Sequence, residues 1–126
     1  MYKNQAQLAK NRLYLVLKGK ADLAELQAWS DDLLTEARKL KPGFSVVSDI
    51  LNVEPTTEEG RLIIQDTQKK AKALGMGNVV RLTKGANPIT ANQWQRSSRA
   101  VGYVALEAAT IEEADRLLDQ LDKPAA

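Results

Sequence analysis

The chain contains no cysteine and no histidine. That excludes a disulfide framework, a thiolate nucleophile, an imidazole general base and a zinc site of the usual Cys/His kind. Aromatic residues are scarce, with two Trp, three Tyr and one Phe, and none interleaves with basic residues as single-stranded nucleic-acid surfaces require. An excess of one charge sign is also missing. Against 16 Asp and Glu stand 18 Lys and Arg, a net charge of +2, so no nucleic-acid partner held by wholesale phosphate neutralisation is expected. No apolar run approaches the ~18 residues of a membrane-spanning helix. Met1 to Lys10 is polar, without the apolar core or cleavage site of a secretory leader. The expectation is a cytoplasmic protein with no stable membrane anchor; the lack of cysteine says nothing about redox compartment.

What is present is 126 residues, 44% apolar and 27% charged, the composition of one globular domain spanning 1–126 with its core in about 2–121. Strand and helix periods alternate along it. Arg12 to Lys18 places Leu13, Leu15 and Leu17 on one face and Tyr14 and Val16 on the other, the two-sided apolarity of a strand covered on both faces. Tyr2 to Leu8 alternates weakly, and Lys10-Asn11 would turn it back as an antiparallel edge hairpin. Asp22 caps a helix whose stripe of Leu23, Leu26, Leu33, Leu34, Ala37 and Leu40 runs to Lys41, where Pro42-Gly43 breaks it. Phe44 to Ile50 is a strand and Leu51 to Pro55 a loop.

Thr56 and Glu59 have the spacing of a capping box, opening a helix that carries Leu62, Ile63, Ile64, Ala71 and Leu74 and stops at Gly75. Gly75-Met76-Gly77 follows a helix and lacks the Lys-Ser/Thr of a phosphate loop. Val79 to Thr83 is a strand. Asn87-Pro88 starts a helix that carries Ile89 and Trp94 and fades by Arg99. Val101 to Leu106 is the last predicted strand. Thr110 and Glu113 cap a helix expected to bury Ile111, Ala114, Leu117, Leu118 and Leu121, and Lys123 to Ala126 is a frayed tail. Alternation of this kind predicts an α/β fold, a mostly parallel sheet of four to five strands with helices against it.

Three segments resemble the STAS fold, the family of bacterial anti-sigma factor antagonists and the cytoplasmic domains of sulfate transporters. Leu17 to Asp22 resembles the family's strand ending in Gly before the first helix. Ser48 to Gly60 resembles its signature loop, a strand ending in Asp-Leu, a turn, a Val, and Asp-Ser-Ser-Gly opening a helix. Ala100 to Leu121 resembles its strand-then-helix ending. The resemblance implies the fold and a regulatory protein-interaction module with a protein partner. On this alignment Thr57-Glu58-Glu59 matches Asp-Ser-Ser, so Glu58 stands where partner kinases phosphorylate a serine. A carboxylate takes no phosphate in a reversible serine switch. Glu58 and Glu59 then read in two ways: as first-turn acids favouring the helix dipole, or, for Glu58, as an imitation of a phosphorylated residue with one charge where phosphate has nearly two.

In a parallel sheet ligands gather beyond the carboxyl ends of the strands. Candidate binding residues there are Asn52, Thr56, Thr57, Glu58, Glu59, Lys84 and Asn87, against the plainer reading of capping chemistry. A basic set, Lys69, Lys70, Lys72, Arg81, Lys84, Arg96 and Arg99, is read as a solvated face or an anion-binding convergence. Trp29 and Trp94 are expected against the sheet. The carboxylates Asp22, Asp31, Asp32, Asp49, Glu54, Glu58 and Glu59 form no catalytic motif, and Asp31 and Asp32 point about 100° apart on a helix, so no enzyme, metal or cofactor is expected. The alternative to a partner module is a carrier or sensor of a small apolar or anionic ligand; a second copy of the chain, as a homodimer, is a further partner to consider.

Overall fold

A computed structural model describes residues 1–122; the tail expected at Lys123 to Ala126 lies outside the described residues. The element order is β1 (Tyr2–Gln7), β2 (Arg12–Gly19), α1 (Leu23–Ala37), β3 (Ser45–Val53), α2 (Glu58–Ala73), β4 (Val79–Leu82), α3 (Pro88–Val101), β5 (Leu106–Ala108) and α4 (Ile111–Leu121). The five strands lie side by side in chain order. The hairpin strand β1 pairs antiparallel with β2, Tyr2 opposite Leu17 and Gln7 opposite Arg12, and every later pairing is parallel. Asn11 turns the hairpin at φ 52°, a left-handed conformation that Asn tolerates better than most residues.

Strand alternation divides the interior into two cores. Leu13, Leu15, Leu17, Val46 and Val79 face α1, α2 and α3 and meet Leu26, Trp29, Leu33, Ile64, Ala71 and Trp94. Val47, Val80 and Leu82 face the other way, onto Ala114 and Leu118 of α4. Trp29 and Trp94 pack edge to face, ring centroids 5.6 Å apart, beneath the helix layer. The α4 layer is pinned by a charge. The Arg12 guanidinium, 2% exposed, donates to Asp115 (2.9 Å), Asp119 (3.1 Å) and Asp122 (3.2 Å), one turn apart along α4. The Tyr14 hydroxyl donates to the same Asp115 at 2.6 Å. Burial opposes the Arg12 charge, but the hydrogen bonds to Tyr14, Asp115 and Asp119 outweigh it and hold the group above its ordinary value. The Asp119 carboxylate is held below its own, chiefly by Arg12.

The boundaries depart from expectation where tertiary partners compete with local pattern. Helix α1 ends at Ala37 rather than running to Lys41. Strand β3 continues past Ile50 through Leu51, Asn52 and Val53, because β2 offers Lys18 opposite Asn52 and Gly19 opposite Val53 after a register shift. The strand expected at Val101 to Leu106 is displaced to Leu106–Ala108. Gly102 caps α3 at φ 98°, its N–H and that of Tyr103 donating to the Ser98 carbonyl, so the glycine ends a helix instead of interrupting a strand. In α4, Ala114 and Leu118 are buried, whereas Ile111 and Leu121 are 39% and 49% exposed.

Candidate functional site

The carboxyl ends of β2 and β3 bring two loops together. Gly19 leaves β2 at φ 74°, and its carbonyl accepts the Glu54 N–H at 3.0 Å. This fastens the loop before α1 to the loop before α2. Asp22 caps α1 by accepting the Glu25 N–H at 2.8 Å. The cap of α2 is Thr57, whose hydroxyl accepts the Gly60 N–H at 3.1 Å. The capping box expected from Thr56 and Glu59 does not form: the cap lies one residue later, and its third helical position is Gly60, which has no side chain to reach back. Thr56 instead ties the loop to α3. Its N–H donates to the Gln93 side-chain oxygen (3.0 Å), and its carbonyl accepts the Gln93 side-chain N–H (2.7 Å). Three residues earlier on α3, the Thr90 hydroxyl donates to the Val53 carbonyl at 3.1 Å. Two side chains of one α3 face therefore hold the β3–α2 loop at both ends.

Between the two loops lies an open groove of about 290 Å³, lined by Lys20 to Leu23, Pro55, Thr56, Thr57 and Glu59. Leu23 is 41% exposed here, and Leu62, one turn beyond Glu59 on α2, is 49% exposed. Both were expected in the core stripes of their helices, and both face out instead. Gly60 permits the close approach that shapes the groove. A Cβ on it would lie 1.9 Å from Thr56 Oγ1 and 3.0 Å from Leu26 Cδ1.

Glu58 stands in the first turn of α2, solvent-exposed, with its carboxylate occupied. Arg61 grips it with two hydrogen bonds, Nε to Oε2 at 2.9 Å and Nη2 to Oε1 at 2.6 Å. Arg61 is itself buried between α2 and α3 and also donates to Gln65 at 2.8 Å. The Arg61 hydrogen bonds hold the Glu58 carboxyl below its ordinary value. Glu59, beside it, lines the groove.

The other sequence candidates sit apart from the groove. Asn52 is an exposed residue of β3 opposite Lys18. The Asn87 side chain is spent on the Ile89 N–H at 2.8 Å, capping α3, and Lys84 pairs with Glu113 in the first turn of α4 at 3.6 Å. The basic set does not converge. Lys70 pairs with Asp66 on its own helix, Lys72 donates to the carbonyls of Val101 and Gly102, and Arg81 is buried beneath α3. Sequence reasoning missed Gln93 and Thr90; their spacing of three on an amphipathic helix was the available signal. Among the described residues no group of three or more Asp or Glu is placed to hold a metal ion. No helix among them is long and apolar enough to cross a membrane.

No protein-family model matches the chain, and no curated protein matches it in sequence. Solved structures do. The anti-sigma factor antagonist SpoIIAA in its unphosphorylated form is similar over 100% of both chains, with a TM-score of 0.66 and 13% identity. A protein from Thermotoga maritima, described as a candidate anti-sigma factor antagonist, is similar over 94% of this chain and 95% of its own, with a TM-score of 0.61 and 13% identity. The chain thus has the α/β fold of the anti-sigma factor antagonists, as its signature segments led one to expect.

Proposed function

We propose that the protein is a regulatory interaction module of the bacterial cytoplasm that works by binding rather than catalysis. A protein partner docks on the loop and helix from Val53 to Asp66, without a serine phosphorylation cycle. One observation carries the reading. The corner between β3 and α2 is pinned from behind by Thr90 and Gln93 yet open in front, so its docking shape is preformed. Rigid presentation reduces the ordering cost of association. Leu23 and Leu62 supply exposed apolar area, while Asp22, Glu54 and Glu59 supply acidic groups. The complementary partner has an apolar centre and a basic rim. That both similar structures are described as anti-sigma factor antagonists supports a regulatory role.

Glu58 belongs to the fold's support. Its single charge is spent on Arg61, which leaves little to imitate a phosphate facing solvent. A carrier of a small apolar ligand is the weaker alternative, because the interior space below the helices is about 30 Å³, against roughly 300 Å³ or more for a typical ligand pocket. Leu62→Asp and Glu58→Ser separate the readings. With partner capture from host lysate as readout, Leu62→Asp abolishes capture of the partner held by the native chain, while Glu58→Ser leaves it intact. Equal capture by Leu62→Asp would move the docking surface elsewhere. Phosphorylation of Glu58→Ser with altered capture would revive the switch.

A further inference from the structure

Five polar atoms buried without a hydrogen-bond partner belong to four residues that line one interior space: Trp29 Nε1, Ser48 Oγ, both amide atoms of Gln68, and Arg81 Nε. Orphaned buried polar atoms are uncommon in folded proteins, and such a concentration asks for an occupant. The space, about 30 Å³, lies between the sheet and α1, α2 and α3, with walls of Leu13, Leu15, Val46, Ala71 and Val79. Water needs roughly 10–15 Å³, so the room is for something the size of two waters.

Arg81 decides what that is. Its side chain is 4% exposed and lies 5.7 Å from the Trp94 ring centroid. Nη2 donates to two hydroxyls, Ser98 Oγ at 2.7 Å and that of Tyr103 at 3.4 Å. Glu107, its neighbour in register on β5, is exposed; its charge favours the guanidinium from a distance, without an ion pair among the described residues. Burial pushes the guanidinium below its ordinary value. A buried charge without a counter-ion is among the costliest features a core can hold. The unpartnered set is also rich in donors. Arg81 Nε and Trp29 Nε1 can only donate, as can the Gln68 amide nitrogen, whereas Gln68 Oε1 alone must accept. Water offers donors and acceptors equally; an anion offers acceptors and the missing charge.

We propose that this interior space binds a small anion of formate size, its oxygens accepting from Arg81 Nε and Trp29 Nε1, with Gln68 and Ser48 completing the set. Arg81 and Tyr103 also border a second small cavity, under the 103–105 connection between α3 and β5, which gives the anion its way in. The site is separate from the docking corner and stands or falls independently of it.

The test titrates formate into the protein at constant ionic strength, with chloride and the larger acetate as controls, and reads tryptophan emission and thermal denaturation. Trp29 and Trp94 are the chain's only tryptophans, and both line the cavity. The expected result is a saturable emission change and a Tm that rises with formate concentration, neither reproduced by chloride or acetate. Gln68→Leu, which removes two of the orphaned atoms and makes that wall apolar, abolishes both responses. Arg81→Lys weakens them by about tenfold or more, the loss of one charged hydrogen bond. Circular dichroism checks that each variant folds, and Gln68→Leu decides alone if Arg81→Lys does not. Leu62→Asp leaves the responses unchanged. A non-saturable response shared with chloride and acetate, or ordered water filling the space in a high-resolution structure of the formate-soaked protein, overturns the proposal.

Discussion

Gly60→Ala sets two effects of similar size against each other at the docking corner. Gly60 is three residues past the Thr57 cap, inside α2, where Ala is favoured over Gly by about 1 kcal/mol on propensity alone. Against that, the new Cβ would sit 1.9 Å from Thr56 Oγ1, and 3.0 Å from both Thr56 Cβ and Leu26 Cδ1. Rotation about the Thr56 side chain relieves the first contact but not the second. The Thr56 backbone has no room to step back, because Gln93 holds it at both its N–H and its carbonyl. Leu26 is 2% exposed and is enclosed by the core. Overpacking of this kind costs ~1–3 kcal/mol against the gain of about 1 kcal/mol in propensity, a net loss of up to about 2 kcal/mol. Urea denaturation at 25 °C reads this as a lower midpoint with an unchanged slope. In a Thr56→Gly background both Thr56 contacts are gone and only Leu26 Cδ1 remains, so Gly60→Ala costs less there than in the native chain, a coupling of about 1 kcal/mol. A Gly60→Ala protein more stable than the native chain would refute the reasoning, for it would mean that the loop steps away freely and the corner is not held.

Three further outcomes follow from the same geometry. Arg12→Met removes the cation shared by Asp115, Asp119 and Asp122, leaving only the exposed Lys10 on Asp119, and lowers stability by ~2 kcal/mol, less than a fully buried pair would cost because the carboxylates are partly exposed; a urea midpoint measures it. Gln93→Leu releases the Thr56 backbone and increases amide hydrogen exchange at Thr56 to Glu59 while β2 and β3 stay protected. Acid destabilises the fold through groups whose folded values are depressed, Glu58 by Arg61 and Asp119 by Arg12. Their contribution is present above the ordinary carboxyl values of 4.5 and 3.8 and is lost as pH falls below them, so Glu58→Gln flattens the fall of Tm with acid that the native chain displays.

Local pattern carried the fold where a residue's partner lies in its own segment. Asp22, Asn87-Pro88 and Thr110 cap their helices as their spacing predicts, and the strand Arg12 to Lys18 buries Leu13, Leu15 and Leu17 in one core and packs Tyr14 on the other, with Val16 half-buried. It failed where a distant group competes. Thr56 looks like a cap in Thr-x-x-Glu, but the side chain of Gln93, far along the chain, takes its backbone, and Thr57 caps instead. Val101 to Leu106 reads as β by composition, but the preceding helix needs Gly102 to finish. Burial of Arg12 and Arg81 was not legible either. Arg12 is covered because Asp115, Asp119 and Asp122 recur at helical spacing on an element that only the fold brings near. Arg81 lies opposite Ser48 in the sheet register and under Trp94, a neighbourhood that arises only when the parallel strands are aligned. The candidate site was legible as a corner, in Thr56, Thr57 and Glu59, and illegible in its support, Thr90 and Gln93.

The central claim, that a partner docks on the corner from Val53 to Asp66, is tested most directly by placing a photo-crosslinking amino acid at Leu62 in the full chain and irradiating host cells. The account predicts one discrete heavier species from position 62 and none from Lys10 or Arg116, which lie away from the groove. A species from Lys10 or Arg116 with none from Leu62 would contradict it.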